Sequence, residues 1–319
     1  MSNGRKVGLR LVRGAETAAA KTGTVTVNDG TRIYFQDTGG EGVPLVFLYG
    51  LGCSIQHWKY PIRALTHGSK KMKSYRCIWS DIRGHGKSSM PPKNRLITLD
   101  DVINDQMAVL NHLNVTSAVF LGQSMGGCLA MELAYRYPAT SSGLVLLGAP
   151  ARDPSRLLPF QPVSKFLWDT MISLNETMPF LVRSIYDRLI PAVQKNPLQL
   201  LFREMIRKKG FNNKLAKTTD IEEYIAAIFK VPPNVFYQMA STLSGYDINR
   251  YEGKVLTPAL IMVGAQDQII PPSEGEYIHQ QLRNSELKLI PHGSHCPHFD
   301  DPVLVSGLIR QFLGKQTFN

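Results

Sequence analysis

The chain has 319 residues, 43% of them hydrophobic and 19% charged, which is enough apolar material for one large core and excludes wholesale disorder. Its net charge of +11 sits in short clusters (Lys70, Lys71 and Lys73; Arg207, Lys208 and Lys209) without interleaved aromatics or a nucleic-acid motif, so no nucleic-acid partner is expected. No apolar run reaches the roughly 18 residues that a transmembrane helix needs, so no membrane span is expected.

Residues 1–22 carry Arg5, Lys6, Arg10, Arg13 and Lys21 against one acid, Glu16. Arg10 and Arg13 interrupt the apolar residues there, so the segment reads as a frayed basic extension, with organelle targeting as the alternative. Four cysteines, Cys53, Cys77, Cys128 and Cys296, form no C-x-x-C pair. That spacing argues against a zinc module or a disulfide framework and for a reducing, cytoplasmic setting.

In chain order, short β-branched runs predict strands at 24–27, 31–35, 44–48, 75–80, 117–121, 144–147, 259–263 and 286–290. Helix-length stretches fall between most of them, among them 99–113, 125–136 and 273–282. The alternation predicts an α/β fold with a mostly parallel sheet and helices on both faces. The Asn28-Asp29-Gly30 turn predicts that the first two strands form an antiparallel hairpin at the sheet edge. From 151 to 254 no strand is expected. Helical periodicity punctuated by Pro154, Pro159, Pro162, Pro179, Pro191, Pro197, Pro232 and Pro233 reads as a helical insertion over the sheet. The expected plan is a core of residues 23–150 and 255–319 with the insertion between them.

Residues 122–127 read Gly-Gln-Ser-Met-Gly-Gly, directly between an expected strand and an expected helix. A serine on such a tight turn is forced outward at the carboxyl edge of the sheet, and the helix N-terminus behind it favours negative charge. Ser124 is therefore the candidate nucleophile, with the Met125 N–H placed to meet an oxyanion. A hydroxyl needs a base, and the loop after the last strand offers His295, with His292 and His298 as alternatives. The base needs an acid. Asp267 and Asp153, each just past an expected strand, are the candidates, with Asp267 preferred. A metal held by the three histidines is not expected, because no carboxylate or cysteine pair completes the set. No cofactor is expected either.

Together these segments resemble the α/β-hydrolase superfamily across nearly all of residues 24–315. Gly50-Leu51-Gly52 after the third strand resembles that family's oxyanion loop. The segment 81–88 (Asp-Ile-Arg-Gly-His-Gly-Lys-Ser) resembles its turn after the fourth strand, and 264–267 and 295–302 complete the match. The resemblance implies an eight-stranded sheet with a helical cap at 151–254, and a triad of Ser124, Asp267 and His295. It also implies an oxyanion hole from the Leu51 and Met125 N–H groups, and structural roles for Asp81, Arg83 and Ser88. Tyr49 departs from the family, which usually has histidine there. Its ring is expected to pack beneath the loop and its hydroxyl to find a buried acceptor.

Within the family, the segments look most like enol-lactonases, small esterases and C–C hydrolases acting on meta-cleavage products. The implied function is hydrolysis of a small-molecule ester, thioester or lactone through an acyl-enzyme. The alternatives are a C–C hydrolase and a weakly catalytic ligand-sensing protein on the same scaffold. Ser124 argues against the aspartate nucleophile that dehalogenases and epoxide hydrolases of the superfamily use. Substrate contacts are expected from Tyr49, Gly50, Trp168, Met171 and Met178; oligomeric state is not legible.

Overall fold

The computed structural model describes residues 21–66, 75–92, 96–157 and 197–316, with isolated residues between 166 and 184. Most of the basic extension, the Lys70–Lys73 cluster, Trp168 and Met171 lie outside the described residues.

Eight strands form one sheet: β1 (Lys21–Thr26), β2 (Arg32–Asp37), β3 (Pro44–Leu48), β4 (Arg76–Ser80), β5 (Ala118–Gln123), β6 (Ser141–Leu147), β7 (Ala259–Gly264) and β8 (Ser285–Ile290). Their order is β1-β2-β4-β3-β5-β6-β7-β8. The β1–β2 and β2–β4 pairs are antiparallel, and every pair from β4–β3 to β7–β8 is parallel. The hairpin sits at the edge, and β1 begins at Lys21, inside the segment expected to be an extension. The central strands β5 and β7 are buried along their whole length, as a parallel sheet covered on both faces requires.

Nine α-helices are described: α1 (Lys59–Thr66), α2 (Leu99–His112), α3 (Met125–Arg136), α4 (Pro197–Gly210), α5 (Thr218–Lys230), α6 (Pro233–Ser241), α7 (Pro272–Gln281), α8 (Pro297–Asp300) and α9 (Pro302–Lys315). Local chemistry explains several of their starts. Thr98 caps α2 in a reciprocal box: its hydroxyl accepts the Asp101 N–H at 3.2 Å, and Asp101 accepts the Thr98 N–H at 2.9 Å. Asp301 caps α9 through the Leu304 N–H, with Pro302 at the first helical position. Between β6 and β7 no strand occurs among the described residues. The segment holds α4, α5 and α6 there; an isolated bridge from Arg152 to Asp247 ties its two ends together, and Asp220 of α5 holds Lys59 and Tyr60 of α1.

Register places the site. Leu48 pairs with Gly122, Gln123 with Leu147 and Gly264 with Ile290. The loops that leave β3, β5, β6, β7 and β8 therefore open side by side at one edge of the sheet, where ligands bind in open α/β folds.

That edge depends on how closely α3 lies on the sheet. A Cβ at Gly126 would sit inside the contact distance of the Leu48 carbonyl, and one at Gly122 would strike the Gly126 backbone. Gly126→Ala should therefore push α3 off β3 and lower stability by about 1–3 kcal/mol, read as a lower urea midpoint. An unchanged midpoint would show that the helix stands further from the strand than described.

Candidate active site

Ser124 joins β5 to α3 with φ 54° and ψ −123°, a left-handed conformation that a non-glycine residue adopts only under constraint. The constraint is visible on both sides: the Ser124 N–H donates to the Leu147 carbonyl at 3.0 Å, and its carbonyl accepts the Gly127 N–H at 2.9 Å. Ser124 is partly exposed while its neighbours from Leu121 to Ala134 are buried. Gly50 lies against it. A Cβ at Gly50 would come within 3.2 Å of the Ser124 Cβ and 2.7 Å of the Gln123 Oε1. The loop holding Gly50 and Leu51 and the first turn of α3 thus flank the same serine hydroxyl. The first N–H groups of a helix lack partners within it; at α3 the Gly127 N–H is taken by the Ser124 carbonyl, which leaves the Met125 N–H at the start of the helix beside the serine.

His295 Nδ1 lies 2.8 Å from Asp267 Oδ2, and both residues are buried. The other oxygen, Asp267 Oδ1, accepts the N–H groups of Ile269 and Ile270, each at 2.8 Å, which fixes the carboxylate plane. Gly148, in the loop after β6, packs 3.4 Å from both Asp267 Oδ2 and His295 Nδ1, measured from the position a Cβ would take. The Gln123 amide donates to the His295 carbonyl at 3.3 Å and so ties the end of β5 to the histidine loop.

The competing residues are engaged elsewhere. Asp153 accepts the N–H groups of Ser155 and Gly245, each at 2.9 Å, and stabilises a turn. His292 is exposed, and the buried His298 ring stacks on Trp58 with centroids 5.4 Å apart. The three histidines of this loop therefore face three environments. Met178 is half exposed.

Tyr49 requires a correction. It was expected to contribute to substrate binding, but it is 1% exposed, and its hydroxyl accepts the Ile82 N–H at 2.7 Å beside the Asp81 carboxylate. The ring braces the turn after β4. The same turn is pinned by Asp81 accepting the Lys87 N–H (2.8 Å) and by the Ser88 hydroxyl donating to the Asp81 carbonyl (2.6 Å). Arg83 leaves the turn to hold Asp105 through two 2.7 Å bonds and Asp29 at 2.8 Å.

Several contacts near the site escaped sequence reasoning. Tyr224 of α5 receives a 3.2 Å bond from the Cys53 thiol and stacks on His57 at 3.9 Å. Asp300 accepts the Ser294 N–H at 2.6 Å and the Asn212 N–H at 3.0 Å. The double aspartate of the C-terminal segment was a signal for Asp300; Asn212 and Tyr224 carry none, because their partners lie far along the chain.

Burial sets the charge states of the surrounding histidines. Desolvation pushes the pKa of His298 down to about 3 and that of His85 down to about 4, from an ordinary value of 6.5. Below pH 6.5 the unfolded chain takes up protons that the fold refuses, so these groups erode stability as pH falls towards their folded values. Asp81, Asp105 and Asp300, raised by burial, act in the opposite sense, because the fold protonates them before the unfolded chain does. His298→Leu should flatten the fall of the urea midpoint between about pH 6.5 and pH 4 relative to the parent chain. An unchanged slope would place the acid sensitivity elsewhere.

The geometry can be set beside known proteins. The sequence pattern of the family described as the alpha/beta hydrolase fold matches residues 43–302. Epoxide hydrolase 4 of Mus musculus is 26% identical over 311 residues, covering 91% of this chain and 78% of that protein. The non-heme chloroperoxidase of Streptomyces lividans is 27% identical over 286 residues, covering 86% of this chain and 95% of its own. A thermophilic esterase from Thermogutta terrifontis superposes with a TM-score of 0.70 at 23% identity, covering 93% of this chain and 99% of the esterase. The matched span runs from just before β3 to the first residue of α9 and includes the elbow, the Asp267 loop and the His295 loop, so the chain belongs to the alpha/beta hydrolase fold family.

Proposed function

We propose that the protein is a serine hydrolase that cleaves a small-molecule ester, thioester or lactone through an acyl-enzyme. The observation that carries this is the buried 2.8 Å pair of His295 Nδ1 and Asp267 Oδ2, set across the same sheet edge from a strained, partly exposed Ser124. Asp267 holds the imidazole with Nδ1 protonated, leaving Nε2 to act as base. Ser124 Oγ then attacks the substrate carbonyl while His295 takes its proton. The developing oxyanion is met by the N–H groups of Leu51 and Met125. His295 returns the proton to the leaving oxygen or sulfur, and water repeats the sequence on the acyl-serine. The insertion between β6 and β7 acts as a cap over this edge.

The similarity to an epoxide hydrolase does not extend to an alkyl-enzyme route. That route needs a carboxylate nucleophile at the elbow, and position 124 holds a hydroxyl. Serine favours acyl transfer.

Ser124→Ala should abolish both turnover of p-nitrophenyl esters and labelling by a fluorophosphonate, with little change in Tm. Surviving label would move the nucleophile elsewhere. Asp267→Asn should lower kcat by roughly three to four orders of magnitude, because it disfavours the required imidazole tautomer. Asp153→Asn should lower Tm with little effect on kcat, since Asp153 holds a turn; the reverse pattern would exchange the two aspartates. Esters of increasing acyl length, with Ser124→Ala as the blank, would define the substrate range.

A further inference from the structure

The insertion grips the loops of the proposed acid and base from outside the sheet. The Gly210 carbonyl, at the end of α4, accepts the Cys296 N–H at 3.1 Å and lies 2.8 Å from the Ser294 hydroxyl, so it touches both chain neighbours of His295. Two residues on, the Asn212 side-chain amide donates to the His292 carbonyl at 2.9 Å and to Gln266 Oε1 at 3.4 Å. Gln266 directly precedes Asp267, and His292 lies at the start of the His295 loop. The Asn212 oxygen accepts the Lys214 N–H at 3.1 Å, which orients the amide so that its NH2 group faces both loops.

The two loops leave adjacent strands, β7 and β8, and share a backbone bond from the Gln266 N–H to the Gly293 carbonyl at 2.8 Å. The Asn212 amide adds a second bridge beside it, supplied by a different part of the chain. We propose that Asn212 is a positioning residue: it holds the Asp267 and His295 loops in the register that keeps Nδ1 and Oδ2 in hydrogen-bond contact, and it touches no substrate. This rests on the triad proposed above. A shift of a fraction of an ångström between acid and base lowers the rate far more than it lowers stability, because orientation of the base enters the barrier directly.

Asn213 supplies the control. It is the same residue type in the same turn, but among the described residues its amide bonds to the Arg207 and Phe211 carbonyls, at the end of α4 and just after it (3.0 and 3.5 Å). The experiment compares Asn212→Ser, which keeps an oxygen for the Lys214 N–H but loses the bridging donor, with Asn212→Ala and Asn213→Ala. Readouts are kcat and KM for a p-nitrophenyl ester, the rate of fluorophosphonate inactivation, Tm, and the far-downfield proton resonance of the His295 Nδ1–H. Both Asn212 variants should lose roughly tenfold in kcat and in inactivation rate with KM within about twofold, and should broaden the resonance. Asn213→Ala should change Tm by a similar amount and leave the other readouts alone. Parent-like kcat and resonance in Asn212→Ser, or an equal kinetic loss in Asn213→Ala, would overturn the positioning role. Should Asn212→Ala fail to fold, Asn212→Ser and the resonance decide. Failure of the triad itself is distinct: the parent chain would then show neither Ser124-dependent labelling nor a downfield resonance lost in Asp267→Asn, and both proposals would fall.

Discussion

Backbone-to-backbone contact between α3 and the ends of β3 and β5 is the constraint on which the site rests. Gly122 and Gly126 leave no side chain between helix and strand, and the helix closes to a distance that any Cβ would forbid. That closeness shortens the turn until Ser124 must take a left-handed conformation. It also brings the Gly50–Leu51 loop against the serine and aims the start of α3 at the same point. Position, exposure and electrostatic setting of one hydroxyl thus follow from two absent methyl groups.

Behind this edge the fold carries its charge in satisfied groups. Arg83 is almost wholly buried yet holds Asp105 in a two-bond fork and Asp29 beside it, so its desolvation is offset by well-directed partners. Glu132, fully buried on α3, is met by Tyr251, Arg136 and Arg250. These clusters join α3 to the end of the insertion and α2 to the turn after β4.

What the sequence made legible was whatever repeats locally. Short β-branched runs and helical spacing located all eight strands and placed α3 at its observed bounds, because both are written into adjacent residues. The Gly-Gln-Ser-Met-Gly-Gly run was readable for the same reason. Boundaries slipped where neighbours, not propensity, decide them: β6 starts at Ser141, drawn out by pairing with Ala118, and pairing of Lys21 with Asp37 puts residues before Thr24 into β1. Tyr49 is buried with a bonded hydroxyl as its setting suggested, but the substrate contact expected of it fails, since its N–H partner on Ile82 lies 33 residues away and only the folded chain brings them together. Asn212 was invisible on the same grounds: its partners come from β-strand ends some 54 and 80 residues further on.

The cysteines give the fold a further property. All four are free and buried, and desolvation raises the pKa of Cys53 and Cys77 to about 12 and pushes Cys128 and Cys296 up as well. The thiolate is the form that reacts with alkylating agents and peroxides, and at neutral pH the native chain holds almost none of it. Chemical modification must therefore wait for the chain to open. Because Cys53 and Cys296 sit in the two loops that flank the site while Cys77 and Cys128 lie in the core, the order in which the four thiols become reactive would trace which part of the molecule opens first.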